Sequence, residues 1–494
     1  MKKKIIKDLV HEYVAIDDNI RKIVDTKEFQ RLKRVKQLTA IYIYPSANHT
    51  RFEHSLGVMK LAMDYFDSIE EKLKKILKTI KKDDGKVEKE IKYYKTNLQI
   101  AALLHDLGHA PFSHLGEKFF DKDEIKNKII ETLEKDEAER IFHENKGASH
   151  ELMSCYCIKK LEAKLEEIYK IEYDYEFICR IITGKLYSEL EKDYKIKNVI
   201  IGIVNSNSID VDKLDYLLRD NHMCGYPTAK IDLYRFFRSI ELDEEEICVY
   251  FEPSGVPVIQ TIVDSRDSLY IWGYNHHLAV YTDAIIERVL EKNKSKLKEK
   301  CFSTDGISRR LASDEDVWIF LKNRYLELEL NTSPEESEEK ELLVQIFSRQ
   351  LLKPLWKTLY QYNDFLKQGI KDERVINEKF KKSEYEDFKK YLCKLETEMR
   401  EKLDLKAEEL IIAERSNKFY YGIKGKEPEI YVRVGEDKTE VELSSLLPQK
   451  KFEDFTKIAF YVFTNQKKEK VRKALEELIK KKEDAIEVKN DEKK

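Results

Sequence analysis

The chain has 494 residues, long enough for more than one domain. Its 91 Lys and Arg nearly balance 94 Asp and Glu, which excludes a globally basic nucleic-acid binder and leaves only a local basic groove open. Charged residues make up 37% against only 15 Gly and 9 Pro, a composition of long, charge-laced helices.

The N-terminal MKKKIIKDLVHEY lacks the apolar run of a signal peptide, and no 18-residue apolar stretch follows. A soluble, cytoplasmic protein with no membrane partner is expected. KKKIIK reads as a solvated end. In IRKIVDTKEFQRLKRVKQL, residues Ile20, Ile23, Val24, Phe29, Leu32, Val35 and Leu38 mostly recur every three to five positions, which predicts a helix. Pro45 of YPSANHT breaks it. RFEHSLGVMKLAMDYF resumes a helix, and the Lys/Glu-rich residues 68–95 predict an exposed helical hairpin. LLHDLGH then reads as an apolar helix that Pro111 ends or bends.

Residues 121–147 form a second charged insertion, followed by the helices SHELMSCYCIKKLEAKL and IDVDKLDYLLRD. Strand signal is sparse, in EICVYFEPSGVPVIQ and EIYVRVGEDKTEVEL. The acidic stretch 330–345 (NTSPEESEEKEL and its flanks) reads as an exposed connector, and the tail 481–494 as frayed. Seven cysteines without a CxxC pair argue against a disulfide framework or a Cys zinc site. The expected fold is mainly α: a helical core over 1–325, a smaller α+β C-terminal lobe over 326–480 that serves oligomerisation or regulation, and the tail.

Polar residues crowd an apolar run in LLHDLGHAPFSH. His105 and Asp106 are adjacent, about 100° apart on a helix, and can still converge on one ion. Imidazole and carboxylate together suit Mn, Fe, Zn, Co or Ni, and carboxylate also suits Mg. Further donors would be His54 in HTRFEHSLG and an Asp of SIDVDKLDYLLRD. A lone His on an apolar helix is more often a hydrogen-bonded core residue. Here His109 and His114 follow at once, and burying so many unpaired polar groups would cost a few kcal/mol each. A shared cation and a bound anion remove that cost.

Taken in order, HTRFEHSLGV, ALLHDLGHAPFSH, SHELMS and SIDVDKLDYLLRD resemble HD-superfamily phosphohydrolases. The resemblance is to the dNTP triphosphohydrolase branch, which includes bacterial dGTPases and the animal SAM-and-HD-domain dNTPase; no SAM domain is read ahead of this core. DTKEFQRLKRVKQL and VELSSLLPQKKFEDF resemble further parts of that branch. The resemblance implies an HD-domain helical core and metal ligation by His54, His105, Asp106 and Asp212. It implies that His109, His114 and His150 line the scissile phosphate, with His114 protonating the leaving 5′ oxygen. Glu117 stands where the animal enzyme has Asp, as the carboxylate beside His114.

It further implies that Lys213, Arg51 and Arg266 bind the triphosphate. Gln37, Leu38, Tyr216 and Asp220 would lie at the sugar, and Tyr274 near the base. Asp25, Gln30 and Lys33 match an activating-nucleotide site, Lys33 replacing an Arg. Implied partners are a dNTP substrate, a nucleotide activator, and copies of the chain in a tetramer or hexamer; nucleic acid is not favoured. The implied activity is metal-dependent hydrolysis of dNTPs to deoxynucleoside and inorganic triphosphate. The alternatives are another HD hydrolase (nucleotidase, cyclic-nucleotide phosphodiesterase or nuclease) and a non-catalytic nucleotide sensor. His276 and His277 are equally consistent with packing, and His11, His49, His143 and His222 stay unassigned.

Overall fold

A computed structural model describes residues 3–39, 43–131, 147–189, 191–206, 209–226, 230–367, 382–414, 431–434, 439–442 and 458–491. The fold is mainly α, as expected, and divides into two compact units. The first comprises 1–269, 293–318 and 421–449, and the second 270–292, 319–420 and 450–494. The units therefore interleave along the chain, where the sequence reading set one boundary after residue 325. No described helix is long and apolar enough to cross a membrane.

The first unit begins with an antiparallel hairpin, β1 (Lys4–Asp8) and β2 (Glu12–Ile16). KKKIIK, read as a solvated end, is largely exposed over its described residues, which from Lys4 onward belong to β1. Alternation places Val14 and Ile16 in the core, and Asp8 accepts from the turn amides of Val10 and His11. The helix expected over residues 20–38 is also broken. Helix Asp18–Val24 stops because Thr26 caps a new start, its hydroxyl accepting from Phe29 N, and helix Lys27–Gln30 leads into a 3-10 turn over Arg31–Arg34.

Two long helices, Arg51–Lys81 and Asp84–Leu104, pack as an antiparallel pair turning at Lys82 in the left-handed region. Residues 68–95 form this turn with its flanks, yet Ile69, Leu73, Ile76, Val87 and Ile91 are buried. That stretch is thus a continuation of the core pair as well as an exposed tip. A capping box of Thr50 and Glu53 fixes the first start. Helix Val211–Cys224, N-capped by Asp210, packs against the first long helix and against Val256–Leu269. PVIQ therefore belongs to a helix, and only Val249–Phe251 of that region is a strand. That strand, β4, joins β3 (Ile240–Leu242), β7 (Tyr431–Val434) and β8 (Thr439–Glu442) in a four-stranded sheet of order β3-β4-β7-β8.

The second unit contains helices His277–Lys292, Ser337–Ser348, Lys382–Leu403 and Lys468–Asp491 with a three-stranded antiparallel sheet. Its order is β5 (Lys353–Pro354), β9 (Phe460–Thr464), β6 (Leu410–Glu414). The acidic stretch 330–345 is not one connector. Ser333 and Glu336 cap a new helical start, Glu338 and Glu339 sit at its positive N-terminal end, and Glu339 takes Arg324. Nor is the tail frayed throughout, since its good helix formers carry the last helix to Asp491. The insertion 121–147 is described only as helix Lys122–Ile130 and its ends; His143 lies outside the described residues.

The stretch LLHDLGHAPFSH is not a helix beyond Leu104. The chain turns over 105–108, and a four-residue helix, His114–Glu117, follows. Phe112 and Ser113 both take positive φ (60° and 50°). A loop buried this deeply must find side chains for its backbone polar groups. Ser154 Oγ accepts from Gly108 N (2.8 Å) and donates to His105 O (2.6 Å). The buried Arg31 donates to Leu107 O and His109 O, and Asp314 accepts from Phe112 N (2.8 Å) and Lys36 N (2.9 Å).

Gly108 permits this descent. A Cβ there would overlap Ser154 N and Met153 C and lie 2.7 Å from His150 O. Replacing Gly108 by Ala is expected to destabilise the protein by about 1–3 kcal/mol through overpacking against backbone. Urea unfolding checks this, and a variant as stable as wild type would refute the close approach.

Candidate active site

The break after Leu104 decides where the polar side chains of this loop can go. His105 caps the helix, its ring Nδ1 2.9 Å from Ala102 O. As the donor there, Nδ1 leaves Nε2 with its lone pair facing inward. His54, fully buried on the first long helix, is set the same way by Asp215, whose Oδ2 lies 2.7 Å from His54 Nδ1. Both Nε2 atoms are buried without a hydrogen-bond partner.

Asp212, in the first turn of its helix, brings Oδ1 to 3.0 Å from His54 Nε2 and 3.7 Å from His105 Nε2. Donor atoms of His54, His105 and Asp212 all lie within 4.8 Å of one another. Asp106 completes the group, its Oδ2 3.5 Å from His54 Nε2 and its Oδ1 3.4 Å from His105 Nε2. All four expected ligands are therefore brought together, and two orphaned imidazole nitrogens with two carboxylates are a donor set that fits a divalent transition ion. Burial opposes protonation of His54, but Asp212 and Asp215 push it up to about 10. The position favours positive charge.

Asp106 links this group to a second one. Its Oδ1 is 3.0 Å from His109 Nε2. Glu117 then lies beside three imidazoles, its Oε1 2.6 Å from His109 Nδ1 and 3.3 Å from His114 Nδ1, its Oε2 2.9 Å from His150 Nδ1. The rings of His109 and His150 stack at 4.1 Å. Burial, reinforced by Arg51, pushes His109 down to about 4, whereas Glu117 outweighs burial and lifts His150 to about 9. Against burial, the three histidines hold Glu117 well below the usual carboxylate range. His114 is the open member, with 62% of its side chain exposed.

The expected substrate groups are more dispersed. Arg51 is buried between Asp106 Oδ2 (2.8 Å) and Ser113 Oγ (3.1 Å). Lys213 is tied to Asp210 and to Ser206 O. Gln37 is buried with its Oε1 unpaired, its backbone N donating to His49 O, and Leu38 beside it is half-buried. Asp220 is buried against His49, 2.7 Å from Nε2, while Tyr216 and Arg266 are half-buried on their two packed helices. Tyr274 belongs to the second unit, its ring edge-on to Tyr270. Of the expected activator residues, Asp25 pairs with Arg21, Gln30 donates to Val24 O, and Lys33 lies over the Phe52 ring.

Sequence reasoning left His11 and His49 unassigned and gave Asp215 no role. Asp215 had a signal, since it stands three residues after Asp212 on the same face as Arg219. His11 and His49 had none, because their partners, Asp215 and Asp220, lie far along the chain.

Residues 51–219 match the family model "HD domain". A Dictyostelium discoideum protein named deoxynucleoside triphosphate triphosphohydrolase SAMHD1 homolog is 30% identical over 71% of this chain and 59% of its own length. The human protein named deoxynucleoside triphosphate triphosphohydrolase SAMHD1 is 29% identical over 92% of this chain and 70% of its own. The resemblance read from the motifs thus extends over most of the chain, although the chain spans less than two thirds of the Dictyostelium relative. A crystal structure of a hypothetical protein from Aquifex aeolicus superposes with a TM-score of 0.59 at 23% identity, covering 96% of this chain and all of that one, and shares its fold.

The imidazole–carboxylate pair is directly testable. Stability contributed by His150 with Glu117 is fully present below the ordinary imidazole value of 6.5 and is lost as pH rises through about 9. Glu117→Gln is expected to bring the His150 titration down to or below 6.5, read by NMR of the ring protons; an unmoved titration would refute the pairing.

Proposed function

We propose that this protein, whose residues 51–219 are an HD domain similar to that of dNTP triphosphohydrolases, hydrolyses deoxynucleoside triphosphates to deoxynucleoside and inorganic triphosphate in a metal-dependent reaction. The observation that carries the reading is the convergence of His54, His105 and Asp212, with both histidine Nε2 atoms orphaned, beside a second cluster of His109, His114, Glu117 and His150. A divalent ion held by His54, His105, Asp106 and Asp212 would supply Lewis acidity toward a phosphate oxygen and activation of water.

The chain's own residues do the rest. His54 and His105 present fixed lone pairs, and Asp106 and Asp212 supply the charge that holds a cation. Arg51, buried beside Asp106, offers a guanidinium to phosphate oxygens. Lys213 reaches phosphate by exchanging Asp210 for the substrate anion, and Arg266 adds a third cation. His114, solvent-exposed and beside Glu117, gives the proton to the leaving 5′ oxygen in this reading. His109 and His150 line the same phosphate and differ in proton affinity. Gln37, Leu38, Tyr216 and Asp220 take the sugar. In this reading the protein works as a homo-oligomer, tetramer or hexamer, with Asp25, Gln30 and Lys33 receiving a nucleotide activator.

The test incubates purified protein with each dNTP and Mg²⁺ or Mn²⁺, with and without added GTP or dGTP, and separates products by ion exchange. Deoxynucleoside with triphosphate, absent with a His105→Ala/Asp106→Ala variant, is expected. Products shortened one phosphate at a time, or no turnover of any mixture, would refute the reading. His114→Asn is expected to lower kcat by about 10²–10⁴-fold, the usual share of a general acid.

A further inference from the structure

The turn of the N-terminal hairpin carries His11, whose side chain is only 2% exposed, although most of the hairpin's strand residues face solvent. It reaches across to helix Val211–Cys224, where its Nε2 lies 2.5 Å from Asp215 Oδ1. Asp215 is fully buried and meets four donors. Its Oδ2 takes His54 Nδ1 at 2.7 Å and Arg219 Nε at 2.8 Å, and its Oδ1 takes His11 and Arg219 Nη2 at 3.0 Å. Arg219 is shared with the hairpin, donating Nη1 to Asp8 Oδ2 at 2.9 Å. Gly57, on the His54 helix, makes room for this cluster; a Cβ there would overlap Asp215 Oδ1 and lie 2.6 Å from Arg219 Nη2.

We propose that His11 is a positioning residue for the cation site: by donating to Asp215 it fixes the carboxylate that orients His54, so the hairpin sets how tightly the cation is held. This rests on the reading of His54 as a metal ligand. The physical argument is one of balance around a buried carboxylate. Arg219 grips Asp215 along one edge, through both oxygens. His11 adds a second donor to Oδ1, and His54 adds the second to Oδ2. With His11 gone, Oδ1 keeps only the Arg219 donor, so a turn of the carboxylate about its Cβ–Cγ bond is opposed by Arg219 alone and lengthens the contact to His54. The imidazole then loses the partner that fixes both its tautomer and its ring direction. Partners of this kind are worth about 10–100-fold in metal affinity.

The test uses the full chain, stripped with chelator and titrated with Mn²⁺ alone, with free Mn²⁺ read by electron paramagnetic resonance and the metal-free melting temperature recorded for each variant. Wild type is compared with His54→Ala, His11→Ala and His11→Gln, the last keeping an N–H donor at similar reach. The expected result is loss of the site in His54→Ala, binding about tenfold weaker or more in His11→Ala, and recovery in His11→Gln. Wild-type affinity in His11→Ala, beside a His54→Ala that no longer binds, overturns the proposal and leaves the cation site standing. If His11→Ala also melts early, His11→Gln decides. A Gln variant that melts like wild type yet binds as weakly as the Ala variant overturns the proposal too. A wild type that takes up no Mn²⁺ overturns the cation site and the proposal together.

Discussion

The site depends on a helix that stops. Continued at 100° per residue, the helix ending at Leu104 would align His105 with His109, turn Asp106 a quarter away and send His114 to the opposite side. No single ion or phosphate could then meet all four. Ending the helix at Leu104 lets Asp106 stand between two clusters and lets His114 swing out to solvent. The cost is a buried loop whose amides and carbonyls have left their helical partners. Arg31, Ser154 and Asp314 supply replacements, and two positive-φ residues complete the turn. The side chains of the two polar clusters and those that hold the loop come from different parts of the first unit.

Much of this was legible and some was not. The four expected ligand positions could be read because each sits in a short motif of the resemblance, and the structure brings their side chains together. The path of the chain between them could not, since LLHDLGH has the apolar periodicity of a helix and the force that unwinds it comes from Ser154 and Arg31. The same holds for His11 and His49: a histidine is informative only through its partner, and a partner two hundred residues away leaves no local trace. Lys213 was read for its charge, yet Asp210, three residues earlier, holds it through a helix-capping geometry that favours the same pair. Hairpin β1–β2 was missed because its lysines mask a period of two. The acidic stretch near 335 was misread because negative charge marks a helix start as readily as a loop.

The stacked pair of His109 and His150 shows how one anion can serve neighbours unequally. Both rings approach Glu117, but burial and Arg51 oppose a proton on His109, while Glu117 outweighs burial at His150. Two parallel imidazoles 4.1 Å apart cannot both carry charge cheaply. The pair thus joins two stacked rings of unequal proton affinity.

The four-stranded sheet of the first unit has a consequence for synthesis. Its central pairing joins Phe251 of β4 to Val432 of β7, and the chain between them builds most of the second unit. A ribosome that has just passed Phe251 has therefore made only β3 and β4 of that sheet. Strand β4 stays an open edge until residues 431–442 emerge, and an open edge is a template for pairing with other chains. The interval between translation of Phe251 and of Val432 is when a nascent chain is most exposed to its neighbours, so the order of synthesis places a demand on chaperones that the finished fold no longer makes.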